Sequence, residues 1–279
     1  MSLFVNYLNT FLEKNENDKK IKTAFNKNSK VVTFLTLKGG VGKTTLAYCL
    51  AKELTAESNS VLVIDMDPQA NLSLLLDPKN KIYNSSVSSI YNILFEDFLL
   101  GNAIQTTNSK NLSIIFSNDE LSLLNQKSQK KHLNLFSQMM RLLKTKYDYI
   151  IIDCPPTSSV IHAMSIMNSD IVLSPILFDA FSLQGAIKTI SDVSDISQKY
   201  KVELKHKIIF NRINSLDPLI VERASKIREI IPPNYWLTSL SDKGSEFDFS
   251  NQQFDEFQSI TEFVQSNRHQ NNIEMKLGQ

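Results

Sequence analysis

Two kinds of apolar spacing alternate in this sequence. Short runs rich in Ile, Leu, Val and Phe predict buried strands, and stretches with apolar residues three or four positions apart predict helices that cover them. The predicted strands are residues 31–37, 61–65, 112–117, 147–153, 170–177 and 207–212, and the predicted helices are residues 44–54, 133–144, 183–199 and 218–230. This alternation predicts an α/β fold, a mostly parallel twisted sheet with helices on both faces.

The first thirty residues do not follow this alternation. Phe4, Leu8, Phe11 and Leu12 have helical spacing, and a stretch rich in Lys and Asn follows them. We therefore predict that residues 1–30 are a helical extension and linker, and that residues 31–279 form one domain. A length of 279 residues with 42% hydrophobic residues agrees with one large α/β domain.

A glycine-rich loop stands between the first predicted strand and the first predicted helix. It consists of Lys38, Gly39, Gly40, Val41, Gly42, Lys43, Thr44 and Thr45. Its glycines let backbone N–H groups surround phosphates, and the N-terminus of the following helix attracts the same charge. We predict that the whole loop binds a nucleotide, with Lys43 on the β- and γ-phosphates and the Thr44 hydroxyl on Mg²⁺. The additional Lys38 is best explained if its ammonium reaches a nucleotide held by another subunit.

Three acidic residues follow predicted strands. Asp65 and Asp67 lie on the same side of the chain at the carboxyl end of strand 61–65, where open α/β sheets bind ligands. Asp153 closes an apolar strand as the acid of a Walker B motif does, and would bind Mg²⁺ through water. A role in a turn or a helix cap stays open for Asp65 and for Asp67.

Residues 38–45, 65–71 and 147–156 together resemble the motifs of the ParA family of plasmid and chromosome partition ATPases, within the ParA/MinD superfamily. The loop is similar to its deviant Walker A motif, and residues 65–71 are similar to its D-x-D-P-Q-x-N motif, with Ala70 where glycine is usual. The resemblance extends from about Val31 to Gly244 and is looser in its second half. It implies a P-loop NTPase fold of the deviant Walker A type, weak ATPase activity, and ATP and Mg²⁺ as cofactors.

The resemblance also implies roles for single residues. Lys38 would contact the partner's phosphates in an ATP-sandwich homodimer, so that Lys38, Lys43 and Asp67 would carry the catalysis. Asp65 would hold a Mg²⁺-bound water, and Asp67 would orient the attacking water. Asn211, at the end of strand 207–212, would face the adenine base, although an Asn that caps the turn is an open alternative.

The function implied by the resemblance is ATP-dependent DNA partition. The ATP-bound dimer would bind DNA without sequence preference, and a ParB-like centromere-binding protein would stimulate hydrolysis and release. Two alternatives stay open, a MinD-like cell-division or positioning ATPase and a non-catalytic ATP-gated scaffold. A MinD-like protein should end in a basic membrane helix. Here acidic residues accompany the apolar positions 254, 257, 260 and 264, so we expect packing on the core and no membrane partner.

Charge is distributed unevenly although the net charge is only +1. Residues 199–228 contain eight basic and three acidic residues. Such a band is typical of a surface that faces a polyanion, although a solvated helix face is the open alternative. Within the predicted helix 218–230, the candidate DNA contacts are Arg223, Lys226 and Arg228.

The two cysteines limit the classes of function. Neither Cys49 nor Cys154 belongs to a C-x-x-C motif, which disfavours a metal cluster and an iron–sulfur carrier, and we expect both thiols to be buried. No apolar stretch reaches the roughly 18 residues of a membrane span, and no secretory signal is apparent. We therefore expect a cytoplasmic protein, and the resemblance to the ParA family implies that it associates with the nucleoid.

Overall fold

An eight-stranded sheet forms the centre of the computed structural model. The structure describes residues 29–77, 88–96, 99–127, 130–157, 159–213, 222–223, 226–227, 229–241 and 257–277. In chain order the strands are β1 (Lys30–Phe34), β2 (Val61–Asp65), β3 (Ile104–Thr106), β4 (Leu112–Ile115), β5 (Tyr149–Asp153), β6 (Ile171–Ile176), β7 (Lys205–Ile213) and β8 (Trp236–Ser241). Their order across the sheet is β3-β4-β2-β5-β1-β6-β7-β8, and every pair except β3 with β4 is parallel.

Helices cover both faces of this sheet. The helices are α1 (Lys43–Ala56), α2 (Asn71–Leu76), α3 (Ile90–Phe95), α4 (Leu100–Ala103), α5 (Leu124–Lys127), α6 (Lys130–Lys144), α7 (Val160–Met167), α8 (Ala180–Tyr200) and α9 (Gln258–Leu277). Two short 3₁₀ helices span Asp119–Leu123 and Pro233–Tyr235.

Each central strand contributes to two separate cores. Val32 and Ile151 belong to a core with apolar residues of α1 and α9, whereas their neighbours Val31 and Ile150 belong to a second core with α3, α6 and α7. All residues of β1, β2 and β5 are buried, which is why these strands are continuous apolar runs. The predicted mostly parallel sheet with helices on both faces is confirmed.

The strand order brings the predicted site together. β1 lies between β5 and β6, and β5 also pairs with β2. In register, Asp153 lies beside Phe34 of β1 on one side and Asp65 of β2 on the other. Because parallel strands end at the same edge, the loop after β1 and both acids meet there.

The ends of the sheet differ from the prediction. β1 begins at Lys30, one residue before the predicted domain boundary, and ends at Phe34 because the chain then turns towards β6 and α8. Thr36 Oγ1 donates to the Pro175 carbonyl at 3.0 Å, and the Leu37 N–H donates to Thr189 Oγ1 at 3.3 Å. The edge strands β3 and β8 were not predicted, since β3 has only three residues and β8 alternates with polar ones.

Two apolar features are buried as expected. Phe257, Ile260 and Val264 pack in the same core as α1, so this face of α9 is covered by the protein itself, while residue 254 lies outside the described residues. Both cysteines are buried and free of disulfides. None of the helices within the described ranges is long and apolar enough to cross a membrane.

Ala70 has an unfavourable backbone conformation. Its φ of 53° is left-handed, a region that costs a residue with a Cβ about 1–2 kcal/mol. The conformation is imposed by the turn after Asp67, whose carbonyl accepts the Ala70 N–H at 2.9 Å, and by the start of α2 one residue later. Glycine, usual at this position of the resembled motif, would adopt it without strain.

Ala70→Gly should therefore stabilise the protein. Relief of strain exceeds the added flexibility of the unfolded chain, so the free energy of unfolding should rise by about 0.5–1 kcal/mol in urea denaturation. The matched control is Ala163→Gly in the middle of α7, which should lower that free energy by about 1 kcal/mol. Equal losses at both positions would show that Ala70 is not strained in solution.

Candidate nucleotide-binding site

The loop between β1 and α1 forms a cradle of backbone N–H groups. Gly40 and Gly42 have left-handed φ angles of 73° and 96°, and α1 begins immediately afterwards at Lys43. A Cβ on Gly42 would lie 2.5 Å from the Asn211 side-chain nitrogen, so glycine is needed there for space as well as conformation. Backbone donors beside a helix N-terminus form an anion-binding cavity suited to phosphate.

The Lys43 side chain folds back over this loop. Its Nζ donates to the Lys38 carbonyl at 2.9 Å, and the residue is only 6% exposed. Burial lowers the pKa of Lys43, while the Asp153 carboxylate acts in the opposite direction. The ammonium is thus held inside the cradle, where a phosphate would be a stronger acceptor than the carbonyl.

Thr44 and Asp153 form the part of the site that fits a metal ion. Thr44 Oγ1 donates to Asp153 Oδ2 at 2.7 Å. Asp153 Oδ1 is buried and has no hydrogen-bond partner among the described residues. Burial, reinforced by Asp65, raises the pKa of Asp153 well above its ordinary value. A hydroxyl beside an incompletely satisfied carboxylate fits Mg²⁺, which binds through one or two protein oxygens, waters and phosphates.

Asp65 is already bonded to its own chain. Its Oδ1 accepts the Asp67 N–H at 3.0 Å, and its Oδ2 accepts the N–H and the hydroxyl of Ser73 at 2.8 and 2.7 Å. Burial raises the pKa of Asp65 to about 6, against the effect of these hydrogen bonds. This geometry matches the alternative of a turn aspartate, and the predicted hold on a metal-bound water stays a prediction.

Asp67 lies close to the same centre. It is 8% exposed, and its Oδ1 accepts the Gln69 N–H at 3.0 Å, which fixes the carboxylate within its turn. Its charge acts on both Lys43 and Asp153. The structure therefore brings the predicted water-orienting acid into the site beside the metal candidates.

Asn211 contacts the phosphate loop. It lies in β7, two residues before the strand ends at Ile213, and its Nδ2 donates to the Val41 carbonyl at 2.8 Å while its Oδ1 accepts the Arg212 N–H at 3.0 Å. The second bond joins neighbouring residues within the strand, so the alternative of an Asn that caps a turn also stays open. The predicted contact with adenine stays a prediction.

Lys38 is held by its own chain. Its Nζ lies 2.7 Å from both carboxylate oxygens of Asp179 and 2.9 Å from Ser182 Oγ. Asp179 also caps α8 by accepting the Ser182 N–H at 2.9 Å. Burial works against it, but the Lys38 ammonium and the Ser182 donors hold the pKa of Asp179 below its usual value.

Asp179 and Ser182 were not predicted to be part of the site. An Asp three residues before a Ser is a helix-capping pattern and marks the start of α8. Nothing in that pattern indicates that the same carboxylate receives a lysine from a loop 141 residues away in sequence.

The candidate DNA contacts are only partly described. Arg223 and Lys226 are helical and exposed, whereas Arg228 lies outside the described residues. Lys226 Nζ lies 2.6 Å from Glu222 Oε1 one helical turn earlier, so the positive charge of Lys226 is partly neutralised by this carboxylate. The basic band is also divided. Lys205 begins β7 and Arg212 lies near its end, roughly 23 Å further along the strand.

Comparison with known proteins places these features in a family. A family model described as an AAA domain matches residues 29–206. The ParA chromosome partitioning protein of Myxococcus xanthus is 29% identical over 181 residues, 63% of this chain and 62% of that protein. The sporulation initiation inhibitor Soj of Bacillus subtilis is 29% identical over 181 residues, 63% of this chain and 69% of that protein.

A solved structure shares the fold. The putative plasmid partition protein of Borrelia burgdorferi, bound to AMPPNP, superimposes with a TM-score of 0.70 at 24% identity. The match covers 86% of this chain and 97% of that protein. The sheet and its covering helices therefore have the same fold as that protein.

Asp153→Asn tests the metal assignment. The substitution keeps the shape and the Thr44 contact but removes the charge, so Mg²⁺ should enhance nucleotide binding at least about tenfold less than in the wild type. Fluorescent ATP-analogue titrations with Mg²⁺ and with EDTA measure this difference. Asp119→Asn, at an exposed acid in the 3₁₀ helix Asp119–Leu123, is the matched control. An unchanged Mg²⁺ enhancement in Asp153→Asn would place the metal elsewhere.

Proposed function

Because this chain belongs to the AAA-domain family matched by residues 29–206 and is related to ParA and Soj proteins, we propose that it is a DNA-partition ATPase. Its ATPase domain includes Lys30, where β1 begins, and the predicted N-terminal extension before it lies outside the described residues. The observation that carries the proposal is the meeting of Lys38, Lys43, Thr44 and Asp153 at one glycine loop.

Nucleotide binding follows from the geometry of this loop. The backbone N–H groups around Gly40 and Gly42 receive the phosphates, and Lys43 exchanges the Lys38 carbonyl for a phosphate oxygen. Thr44 and Asp153 would hold Mg²⁺, and the ion would neutralise phosphate charge when bound. Asp67 orients a water molecule towards the terminal phosphate. The hydrogen bond from the Gln69 N–H holds the Asp67 carboxylate in one orientation for this role.

Dimerisation requires Lys38 to exchange its partner. Lys38 and Asp179 are 28% and 31% exposed, and a pair of this kind contributes about 1 kcal/mol or less. The bonds of Lys38 to Asp179 and to a phosphate are both charge-assisted, so the acceptor with more negative charge is favoured. The terminal phosphate of a second subunit carries more negative charge than the Asp179 carboxylate, whereas a nucleotide without that phosphate offers less at this position.

The proposed cycle couples this dimer to DNA. Two copies of a weak basic surface bind duplex DNA together far more tightly than one copy does. The ATP-bound dimer is therefore located on the nucleoid, in the cytoplasm. A ParB-like centromere-binding protein stimulates hydrolysis and releases the dimer from DNA. A MinD-like membrane cycle is disfavoured, because Phe257, Ile260 and Val264 are buried in the core and not available to a bilayer.

Lys38 acting in trans is tested by mixing two inactive variants. Lys38→Ala and Asp67→Ala should each bind ATP but lose hydrolysis, because each lacks one of the two groups that act on a phosphate. In a mixed dimer one of the two sites contains both groups. Equal mixing should therefore restore about a quarter of wild-type turnover, measured as phosphate release.

The control for this mixture is Lys188→Ala, which removes a lysine from α8 near the same loop and should keep full activity. Mixed dimers that form but release no phosphate would contradict action in trans. Undiminished turnover in Asp67→Ala alone would contradict its catalytic role, and absence of turnover in the wild type would favour an ATP-gated scaffold.

DNA binding is tested on Arg223 and Lys226. Arg223→Glu combined with Lys226→Glu should abolish ATP-dependent binding to unrelated duplexes and leave ATP-dependent dimerisation intact, because the substitutions reverse exposed charges that bond DNA phosphates and, within the chain, remove the exposed Lys226–Glu222 pair. Retardation assays across a range of salt concentrations measure this. The salt slope should fall by about one for each phosphate that the protein no longer neutralises.

Glu222→Gln is the opposite control. It removes the acid that pairs with Lys226, so ATP-dependent DNA binding should become severalfold tighter at low salt. A double glutamate variant that keeps the wild-type salt slope would locate the DNA surface elsewhere.

A further inference from the structure

An exposed aromatic ring lies beside the phosphate loop. Phe181, in the first turn of α8, is 77% exposed, more than any other large hydrophobic residue that the structure describes. Tyr200, at the far end of the same helix, is only 39% exposed. A single apolar side chain at a surface is common, whereas a contiguous group of them marks an interaction surface. The neighbours of Phe181 therefore decide which of the two it is.

Phe181 forms one wall of an open cavity with a volume of about 440 Å³. Two more apolar residues line this cavity, Leu37 in the segment after β1 and Pro156 in the segment after β5. We call Phe181, Leu37 and Pro156 the Phe181 patch. Gln184 and Lys188 continue the lining along the same face of α8, and Lys188, two turns from Phe181, lies at its rim. An apolar centre with a polar rim is the arrangement of a protein interface, in which rim residues contribute little to affinity.

The Phe181 patch is continuous with the surface that carries Lys38. Leu37 precedes Lys38 in the chain, and Lys38 Nζ lies 2.9 Å from the hydroxyl of Ser182, the residue after Phe181. A Cβ on Gly185 would lie 3.7 Å from Lys38 Cβ, so α8 packs directly against this lysine. Under the proposed function, Lys38 reaches the terminal phosphate of a second subunit. A subunit close enough to offer that phosphate is therefore also close to Phe181.

Further along the same face of α8 the exposed positions are polar. They are Ser191, Asp195, Gln198 and Lys199. The apolar surface on this face is thus limited to the end of the helix beside Lys38, which is the end that a partner bridged by nucleotide approaches.

The size of the Phe181 patch agrees with a dimer that also needs nucleotide. A buried aromatic side chain removes about 150–250 Å² from water, so one ring from each of two copies removes about 300–500 Å². Stable interfaces bury about 1,200–2,000 Å² in total. The patch alone is therefore too small to hold two copies together, and it adds to the contacts that ATP provides.

We propose that the Phe181 patch packs against the same patch of a second copy of this chain in the ATP-bound dimer, with Phe181 as the apolar anchor. The inference rests on the proposed function, because Lys38 and the nucleotide bring the two copies together at this surface. A two-fold axis makes the contact self-complementary, so each substitution in it acts twice. The phosphate contacts make the dimer depend on ATP, and the patch supplies affinity that does not depend on charge.

Dimer dissociation constants in MgATP, measured by sedimentation, test the anchor. Phe181→Ser should raise the constant at least about thirtyfold, because two rings lose their burial. Phe181→Leu keeps most of the apolar surface and should raise it less. Affinity for MgADP should equal that of the wild type in both variants, because the substitutions lie outside the phosphate loop.

The matched control is Tyr200→Ser, an aromatic residue on the same helix nineteen positions away, or about 28 Å. Its dimer constant should equal that of the wild type. Salt separates apolar from charged contacts, since only charged contacts are screened. The ratio between Phe181→Ser and wild type should therefore be the same at about 0.05 M and about 0.5 M NaCl. An unchanged constant in Phe181→Ser, or a ratio that disappears at high salt, would overturn the inference.

Burial of the surface is measured directly with a single exposed thiol. Both native cysteines are buried, so Gln184→Cys supplies that thiol inside the cavity lining. Alkylation by N-ethylmaleimide should slow at least about tenfold when MgATP forms the dimer, because the thiol loses its access to solvent. Gln198→Cys, further along the same face, should react at an unchanged rate. An unchanged rate at position 184 in a sample that sediments as a dimer would overturn the inference.

The two proposals fail in different ways. A wild type that binds MgATP and stays monomeric would contradict the proposed function, and this inference with it. A wild type that dimerises with MgATP, together with a Phe181→Ser variant that dimerises equally well, would contradict the anchor alone.

Discussion

Asp65 and Asp153 lie in register on neighbouring strands, both buried, and their mutual repulsion has to be offset. The two carboxylates differ in the number of hydrogen bonds that they accept. Asp65 receives three hydrogen bonds from Asp67 and Ser73, which stabilise its charge and fix the turn that follows β2. Asp153 receives one from Thr44 and keeps a buried oxygen without a described partner. Positive charge stabilises the ionised form of Asp153; Lys43 supplies some of it, and a bound Mg²⁺ would supply more.

This requirement connects the fold to the proposed function. The order β2-β5-β1 places the two acids beside the phosphate loop, and the loop carries Lys43 into the same space. A nucleotide with Mg²⁺ would bring a cation to Asp153 and an anion to the loop cradle. Lys38 lies at the outer side of this arrangement, held by Asp179 in a pair weak enough to be exchanged.

The central part of the structure was predictable because its signals are local. The strands β1, β2 and β5 are continuous apolar runs, and the residues 38–45, Asp65, Asp67 and Asp153 follow such runs directly, so the parallel sheet brings them together. The resemblance to the ParA family was confirmed by the related proteins, and the α/β fold by the sheet itself.

The remaining features depend on distant contacts that no local pattern encodes. Asp179 meets Lys38, Asn211 meets the Val41 carbonyl, and His206 meets Ser174, each across more than thirty residues. The edge strands β3 and β8 are short or polar and gain their conformation from one neighbour only. The basic band looked continuous in sequence, but β7 runs through its centre and separates Lys205 from Arg212 by roughly 23 Å.

The proposed function depends on ATP binding by the glycine loop and on the dimer that this binding produces. The most direct measurement is analytical ultracentrifugation of the wild type and of Lys43→Ala with MgATP, combined with equilibrium titration of the nucleotide. The wild type should bind MgATP and sediment as a dimer, whereas Lys43→Ala should do neither, because it lacks the charge-assisted contact at the centre of the bound anion. Equal nucleotide affinity in the two proteins, or a wild type that binds MgATP and stays monomeric, would contradict the proposed function.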